Sequence, residues 1–211
     1  MRSIGFKLVA ACLLVSPAVA MAQLGGILPP ILPPVGTSGP TLNGQASAAQ
    51  VTVLGLLGGT TLGLANTGSL GGSTDARDAS QQTGSVLGVL TAEVPQANTI
   101  GYPDQVDSSA SLANLALGVA GSTIGADFVG SQATAILNGG ASGSSSLTNL
   151  LVNGAPVLVT GAPNQAVAIP GGQMVINEQQ STPGGIVVNA LHVVVSGVAD
   201  VVVGSAVASI Q

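Results

Sequence analysis

The chain has 211 residues, of which 5% are charged and 1% aromatic, with no Trp, one Tyr, two Phe and 31 Gly. Arg77 is the one base beyond Lys7, so no Lys/Arg cluster exists to neutralise phosphates, which excludes nucleic-acid binding and disfavours anionic lipid. A mean hydropathy of +0.62 argues against ordinary disorder, because disordered chains are polar and charged.

The first stretch reads as a targeting segment. Arg2 and Lys7 give a basic start, Leu8–Val19 is apolar, and Ala18-Val19-Ala20 and Ala20-Met21-Ala22 are small-residue cleavage patterns. The expectation is a signal peptide over residues 1–22, cleaved after Ala22. The apolar run is short for a bilayer span, which makes an uncleaved anchor the weaker reading. Val9-Ala10-Ala11-Cys12 has the form of a lipoprotein cleavage box, but only Leu8–Ala11 separate Lys7 from Cys12, too few for an apolar core. Cleavage removes Arg2, Lys7 and Cys12. What remains carries eight acids against one base, a formal charge of −7, and no cysteine for disulfide or thiol chemistry.

Residues 23–44 form a Pro/Gly-rich lead-in. Pro29-Pro30 and Pro33-Pro34 favour polyproline II and block ladder pairing. Residues 45–211 read as one β-rich domain. Ala46–Leu57 and Thr60–Ala65 form a hairpin turning at Gly58-Gly59. Ser73–Thr83 is a charged surface loop, Ser85–Val94 a strand, and Pro95–Asp107 a polar excursion. Leu112–Leu117 and Ser122–Val129 pair across Val119-Ala120-Gly121. Gly139–Ser146, all small residues, reads as a flexible loop. Pro156–Thr160 is a short strand. Gln165–Ile169 pairs with Gln173–Glu178 across Pro170-Gly171-Gly172, and Ile186–Val195 with Asp200–Ile210 across Ser196–Ala199.

Ile186–Val195 is apolar on both faces under strict alternation. Val187, Leu191, Val193 and Val195 fall on one face, and Ile186, Val188, Ala190 and Val194 on the other, as in a central strand. Its β-branched content, with Asn189, His192 and Asp200, argues against a membrane helix over Ile186–Ile210. Three segments carry an Asn near mid-strand: SLANLALG from Ser111, SLTNLLVN from Ser146 and VVNALHV from Val187. Their spacing is unequal. The expected fold is all-β, an antiparallel β-sandwich-like domain, with a β-solenoid as the alternative.

The last third of the chain resembles a known family. Leu150–Val157 (LLVNGAPV), Ala162-Pro163-Asn164, Ile169-Pro170-Gly171, Val175–Gln179 (VINEQ), Gly184–Val193 (GGIVVNALHV) and Ala199–Ala206 (ADVVVGSA) occur in that order. In this the chain resembles the choice-of-anchor P family of secreted and surface bacterial proteins. The resemblance implies an exported, surface-associated, β-rich domain of unknown molecular role. Members carry differing C-terminal attachment signals. No sorting motif, apolar tail or basic cluster follows the last strand here, so the expectation is free secretion or non-covalent association.

Candidate chemistry is sparse. His192 is the one imidazole, with Asn189 beside it and Asn177 and Glu178 on the preceding strand. A Glu178–His192 acid–base pair is conceivable, but a structural polar cluster of Asn177, Glu178, Asn189 and His192 is the stronger expectation. Gly143-Ser144-Ser145-Ser146 lacks the closing Gly of a nucleophile elbow. One His and no mature Cys do not make a zinc site. Asp75 with Asp78, or Asp104 with Asp107, supply calcium-type oxygens but sit in no calcium-loop pattern and read as solvated loops. No catalytic, cofactor or metal residue is therefore assigned, and no cofactor is expected. The reading is an exported, non-catalytic structural or interaction protein of the cell surface or extracellular matrix, possible partners being its own copies or envelope components. A calcium- or carbohydrate-binding adhesion module is the alternative, and a hydrolase the least favoured.

Overall fold

The computed structural model describes residues 39–55 and 58–211. The expected signal peptide, Cys12 and residues 23–38 of the lead-in lie outside the described residues. Fourteen strands and no helix occur among those described. They are β1 (Leu42–Gly55), β2 (Gly58–Asn66), β3 (Ala76–Ser80), β4 (Thr83–Val86), β5 (Leu90–Gly101), β6 (Gln105–Val119) and β7 (Ser122–Ile136), then β8 (Gly140–Thr148), β9 (Leu151–Val152), β10 (Ala155–Pro156), β11 (Gln165–Ile169), β12 (Gly172–Thr182), β13 (Gly185–Val195) and β14 (Ala199–Ile210).

Two antiparallel sheets face each other as a sandwich. The six-stranded sheet has the order β11-β12-β13-β14-β1-β2. The eight-stranded sheet runs β10-β9-β7-β6-β5-β3, with β4 on β5 and β8 on β7. The strands lie in two facing layers, not in stacked coils, so the solenoid alternative is set aside.

Alternation along the strands builds the core. On β14, Val201, Val203, Ala206, Ala208 and Ile210 point inward. Leu112, Leu117, Ile124 and Val129 face them from the other sheet. Each fully buried Val or Leu contributes about 1.5–3 kcal/mol. Polar ties also join the layers; in one, the Ser108 hydroxyl donates to the Val207 carbonyl at 2.6 Å and meets the Thr99 hydroxyl at 2.7 Å.

The pleat inverts along one row of the six-stranded sheet. Asn177 has φ 51°, Gly204 φ 63° and Ala65 φ 45°, on alternate strands. They sit at matching heights. Asn177 falls between the pairs Ile176↔Leu191 and Glu178↔Asn189, Gly204 between Asn189↔Ser205 and Leu191↔Val203, and Ala65 between Ser47↔Asn66 and Ala49↔Leu64. A left-handed residue turns the strand over without changing its register. Inward positions on β13 therefore run Ile186, Val188, Ala190 and then Leu191, Val193, Val195. This corrects the strictly alternating faces expected from sequence. The row also divides the core on β13 and β14, with Ile186, Val188, Ala206 and Ala208 in one cluster and Leu191, Val193, Val201 and Val203 in the other.

The eight-stranded sheet has a similar row. Asn114 (φ 47°) and Asn149 (φ 52°) flank Asp127, and Val94 (φ 46°) lies on β5 near the same row. Asn enters the left-handed region more readily than other side chains, which accounts for the mid-strand asparagines at 114 and 149. The third repeat differs: Asn177 on the neighbouring strand is left-handed, and Asn189 is not.

Several strand boundaries differ from expectation. Gly55 pairs with Gly58, which leaves Gly58-Gly59 inside β2 and not in a turn. The charged stretch 73–83 contains β3, held on β5 by the pairs Ala76↔Ile100 to Ser80↔Gln96. Segment 85–94 is a hairpin turning at Leu87-Gly88, and 95–101 continues β5. The β6–β7 hairpin runs as expected but is longer, turning at Ala120-Gly121, both left-handed as a type I′ turn requires. Asn153-Gly154 makes the same turn between β9 and β10. The strand expected at 156–160 is reduced to Ala155–Pro156. The largest correction is Gly139–Ser146. From Gly140 to Thr148 this stretch is a strand paired to β7 at every position. Its glycine allows it: a Cβ at Gly143 would collide with Val188 on the facing sheet.

Candidate functional site

The polar cluster forms on the outer face of the six-stranded sheet. His192 stands opposite Val175 on β12 and Val202 on β14. Asp200 is two residues from Val202, a diagonal position within side-chain reach. Glu178 is three residues from Val175 and would face the core in a regular strand. The left-handed Asn177 turns it outward, onto the face of His192.

The resulting bonds span three strands. His192 Nδ1 lies 2.9 Å from Glu178 Oε2, and Nε2 lies 3.0 Å from Asp200 Oδ1. Asn189, directly opposite Glu178, donates from Nδ2 to the same Oε2 at 2.7 Å. The His192 side chain is 20% exposed and that of Asp200 48%. Burial is the largest influence on the imidazole and pushes its pKa down. The hydrogen bond and charge of Glu178, then those of Asp200, outweigh it and raise the net value above the usual 6.5.

That arrangement fixes the chemistry available. Both ring nitrogens face carboxylate oxygens, so the site favours the imidazolium, which donates from both. An imidazolium has no lone pair for a metal or for taking a proton. The three side chains act as a brace across β12, β13 and β14. A shallow groove beside it is lined by Gly172, Gln173, Val175, Val194 and Ser196.

Of the four side chains expected together, Glu178, Asn189 and His192 meet and Asn177 does not. Asn177 is buried and turned to the opposite face. It donates to the Gly161 carbonyl at 3.0 Å and accepts from Gln179 Nε2 at 2.9 Å. Sequence reasoning missed Asp200. Its signal lay in the β13–β14 hairpin itself, which sets His192 and Asp200 on one face eight residues apart in the chain.

No family model, no curated protein and no solved structure matches the chain.

The remaining acids are dispersed. Asp75 accepts from Arg77 Nε at 2.8 Å and from the Gly71 N–H at 2.7 Å, and these bonds hold its carboxyl below the usual range. Asp107 accepts from Thr134 at 2.7 Å and Gln105 at 2.6 Å. Asp104 offers its backbone carbonyl to the Leu137 N–H at 2.8 Å. Among the described residues, no three His, Cys, Asp or Glu side chains are arranged to hold a metal ion.

A second surface emerges on the outer face of the eight-stranded sheet. Ladder pairing sets Asn98, Ser109, Gln132 and Ser144 in one row and Gln96, Ser111, Gly130 and Ser146 in the next. The side chains named are uncharged and rich in hydroxyl and amide groups, and Asp78 stands beside Asn98 at the β3 end of the first row. Phe128, 39% exposed, lies across Gly130, where its ring carbons come within 2.9 Å of the place a Cβ would take. A shallow cleft joins Phe128 to Ser109, Ser111, Gln132, Ser144 and Ser146. Sequence reading missed this face because serines and glycines at alternate positions read as loop.

Proposed function

We propose that the chain is an exported, non-catalytic structural or interaction protein of the cell surface or extracellular matrix, working through the outer face of its eight-stranded sheet. The observation that carries this reading is the contrast between the two polar surfaces. The ring nitrogens of His192 are both taken by carboxylates of its own sheet. The rows through Ser109, Gln132 and Ser144, and through Ser111 and Ser146, present hydroxyls and an amide to solvent on a flat face. Such a face suits adsorption to another polar, uncharged surface, where the few charges of this chain add neither attraction nor repulsion. The resemblance of Leu150–Ala206 to choice-of-anchor P proteins supports the same reading, as does the signal-peptide pattern of residues 1–22.

The test is fractionation of cells expressing the full chain, with N-terminal sequencing of the product. The expected product begins at Gln23 and is recovered outside the cytoplasm, with the cell envelope or matrix. A cytoplasmic product that retains Met1 contradicts the proposal.

Phe128 favours a carbohydrate-binding reading as the second choice. An exposed ring beside hydroxyl and amide groups is the kind of platform on which a sugar stacks and hydrogen-bonds. Binding to an insoluble polysaccharide panel that Phe128→Ala abolishes would establish it. No binding across the panel would set it aside.

A further inference from the structure

The lateral edges of the sandwich are not alike. β3 and β11 have five residues each, and β3 carries Arg77 and Asp78. β4 has four residues, and β10 has two and ends at Pro156. Beyond the reach of β11, the edge of β12 is occupied by Asn164. Its N–H donates to the Asn177 carbonyl at 2.8 Å, its Oδ1 accepts from the Gln179 N–H at 2.9 Å, and its Nδ2 donates to the Gln179 carbonyl at 3.4 Å. Short length, charge, proline and a capping side chain are the usual means of preventing further strand pairing.

β8 is neither short nor charged and contains no proline, and among the described residues one side chain, that of Gln179, hydrogen-bonds to its edge. It runs nine residues, Gly140–Thr148, without charge or proline. It pairs with β7 from Ile136↔Gly140 to Phe128↔Thr148 with no register shift. Gln179 Nε2 donates to the Gly143 carbonyl at 3.1 Å from outside the β7 ladder. Residue 143 therefore turns its backbone groups to the free edge, and with it, by the two-residue period, Ala141, Ser145 and Leu147. No other backbone of the described residues pairs with that edge.

We infer that β8 pairs antiparallel with β8 of a second copy of this chain, joining two eight-stranded sheets edge to edge across a twofold axis at Ser144. This rests on the reading of the chain as an interaction protein and names its partner. The strand is self-complementary about Ser144. That register sets Gly143 against Ser145, Ala141 against Leu147 and Ser142 against Ser146, so no charge meets its like and no large side chain meets another. The edge-facing residues then meet as pairs that exchange both backbone bonds, and a carbonyl has a second lone pair, so Gly143 keeps its bond from Gln179. An isologous contact of this kind closes as a dimer. An uncharged edge selects no acidic or basic partner, which favours a copy of itself. Pairing also continues the hydroxyl rows of Ser142, Ser144 and Ser146 from one copy to the next, doubling the flat face. β2 is the other long uncharged edge, but it bends at the left-handed Ala65 and is centred on an exposed Leu62.

The test uses product recovered from expression of the full chain, in a Cys12→Ser background. Sedimentation is expected to give twice the mass of one chain. Ser144→Cys is expected to form an intermolecular disulfide under mild oxidation, because a directly opposite pair without backbone bonds brings its Cβ atoms within disulfide range. Thr61→Cys on β2 is expected to form none. Ser145→Pro, which removes an edge-facing N–H outside the β7 ladder, and the exposed Ser144→Lys are each expected to give monomers with an unchanged circular dichroism spectrum. A monomer at all concentrations overturns the pairing. So does a dimer that both β8 variants leave intact, or one that Thr61→Cys cross-links. An exported, surface-retained monomer would overturn the pairing alone, whereas a cytoplasmic monomer would overturn the interaction reading with it.

Discussion

Asp200 Oδ1 lies 3.0 Å from His192 Nε2, one strand away, and completes a brace that Glu178 begins from the opposite side. The folded imidazole holds its proton more tightly than the unfolded one. With the folded pKa raised, the stabilisation is fully present below the unfolded value of about 6.5 and is lost as pH rises through the higher folded value. Thermal unfolding is expected at a higher temperature at pH 6 than at pH 9, and His192→Gln should remove the difference. His192 is the sole histidine, so its ring protons titrate alone in an NMR spectrum. Their midpoint is expected above 6.5, and a midpoint at or below it would remove the brace from the account.

The two carboxylates are not equal. Glu178 is the more enclosed and also accepts from Asn189, whereas Asp200 is half-exposed and screened by solvent. Glu178→Gln is expected to lower the His192 midpoint further than Asp200→Asn. The same NMR titration, run on both variants, reads the order directly.

Val94 holds φ 46° with its side chain 49% exposed. A β-branched residue pays about 1–2 kcal/mol in that region, and nothing at this site requires its side chain. Val94→Gly or Val94→Asn should therefore raise stability by about 1 kcal/mol, while keeping the Val94 N–H bond to the Gln82 carbonyl. A melting temperature below that of the parent for both variants would contradict this.

Much of the architecture was legible where hydrophobic period and turn chemistry agreed. The β13–β14 and β11–β12 hairpins announce themselves through Val-rich runs broken at Ser196–Ala199 and Pro170-Gly171. The face of His192 was not legible, because it depends on Asn177 turning β12 over. A left-handed asparagine inside a strand has no mark in sequence to separate it from Asn189, which stays extended. β8 was missed for a different reason. GASGSSS has a loop's composition, and only the fit of Gly143 beneath Val188 makes a strand of it.

That fit is testable. Gly143→Val places a side chain where Val188 already stands, and overpacking of this kind costs about 1–3 kcal/mol. Chemical denaturation should report that loss. Substituting Ser142, whose side chain points outward on the same strand, with Val should cost far less. Equal losses at the two positions would mean that β8 does not pack on β13 as described.

Ser131 presents a buried hydroxyl with no partner among the described residues. Its neighbours are apolar or small, with Gly204 across the interface. A buried hydroxyl left unpaired costs about 1–3 kcal/mol, so Ser131→Ala is expected to be neutral or stabilising. A destabilisation of that size in urea unfolding would show that the hydroxyl has a partner in solution.

The flat outer face of the eight-stranded sheet carries the functional proposal, and retention of the exported product at the cell surface tests it most directly. Ser111→Lys and Gln132→Lys together set two charges into the hydroxyl rows without touching the core or the edge of β8. The account predicts that the parent protein stays with the cell envelope or matrix, while the double variant, with an unchanged melting temperature, is released into the medium. Equal retention of the two proteins would contradict it.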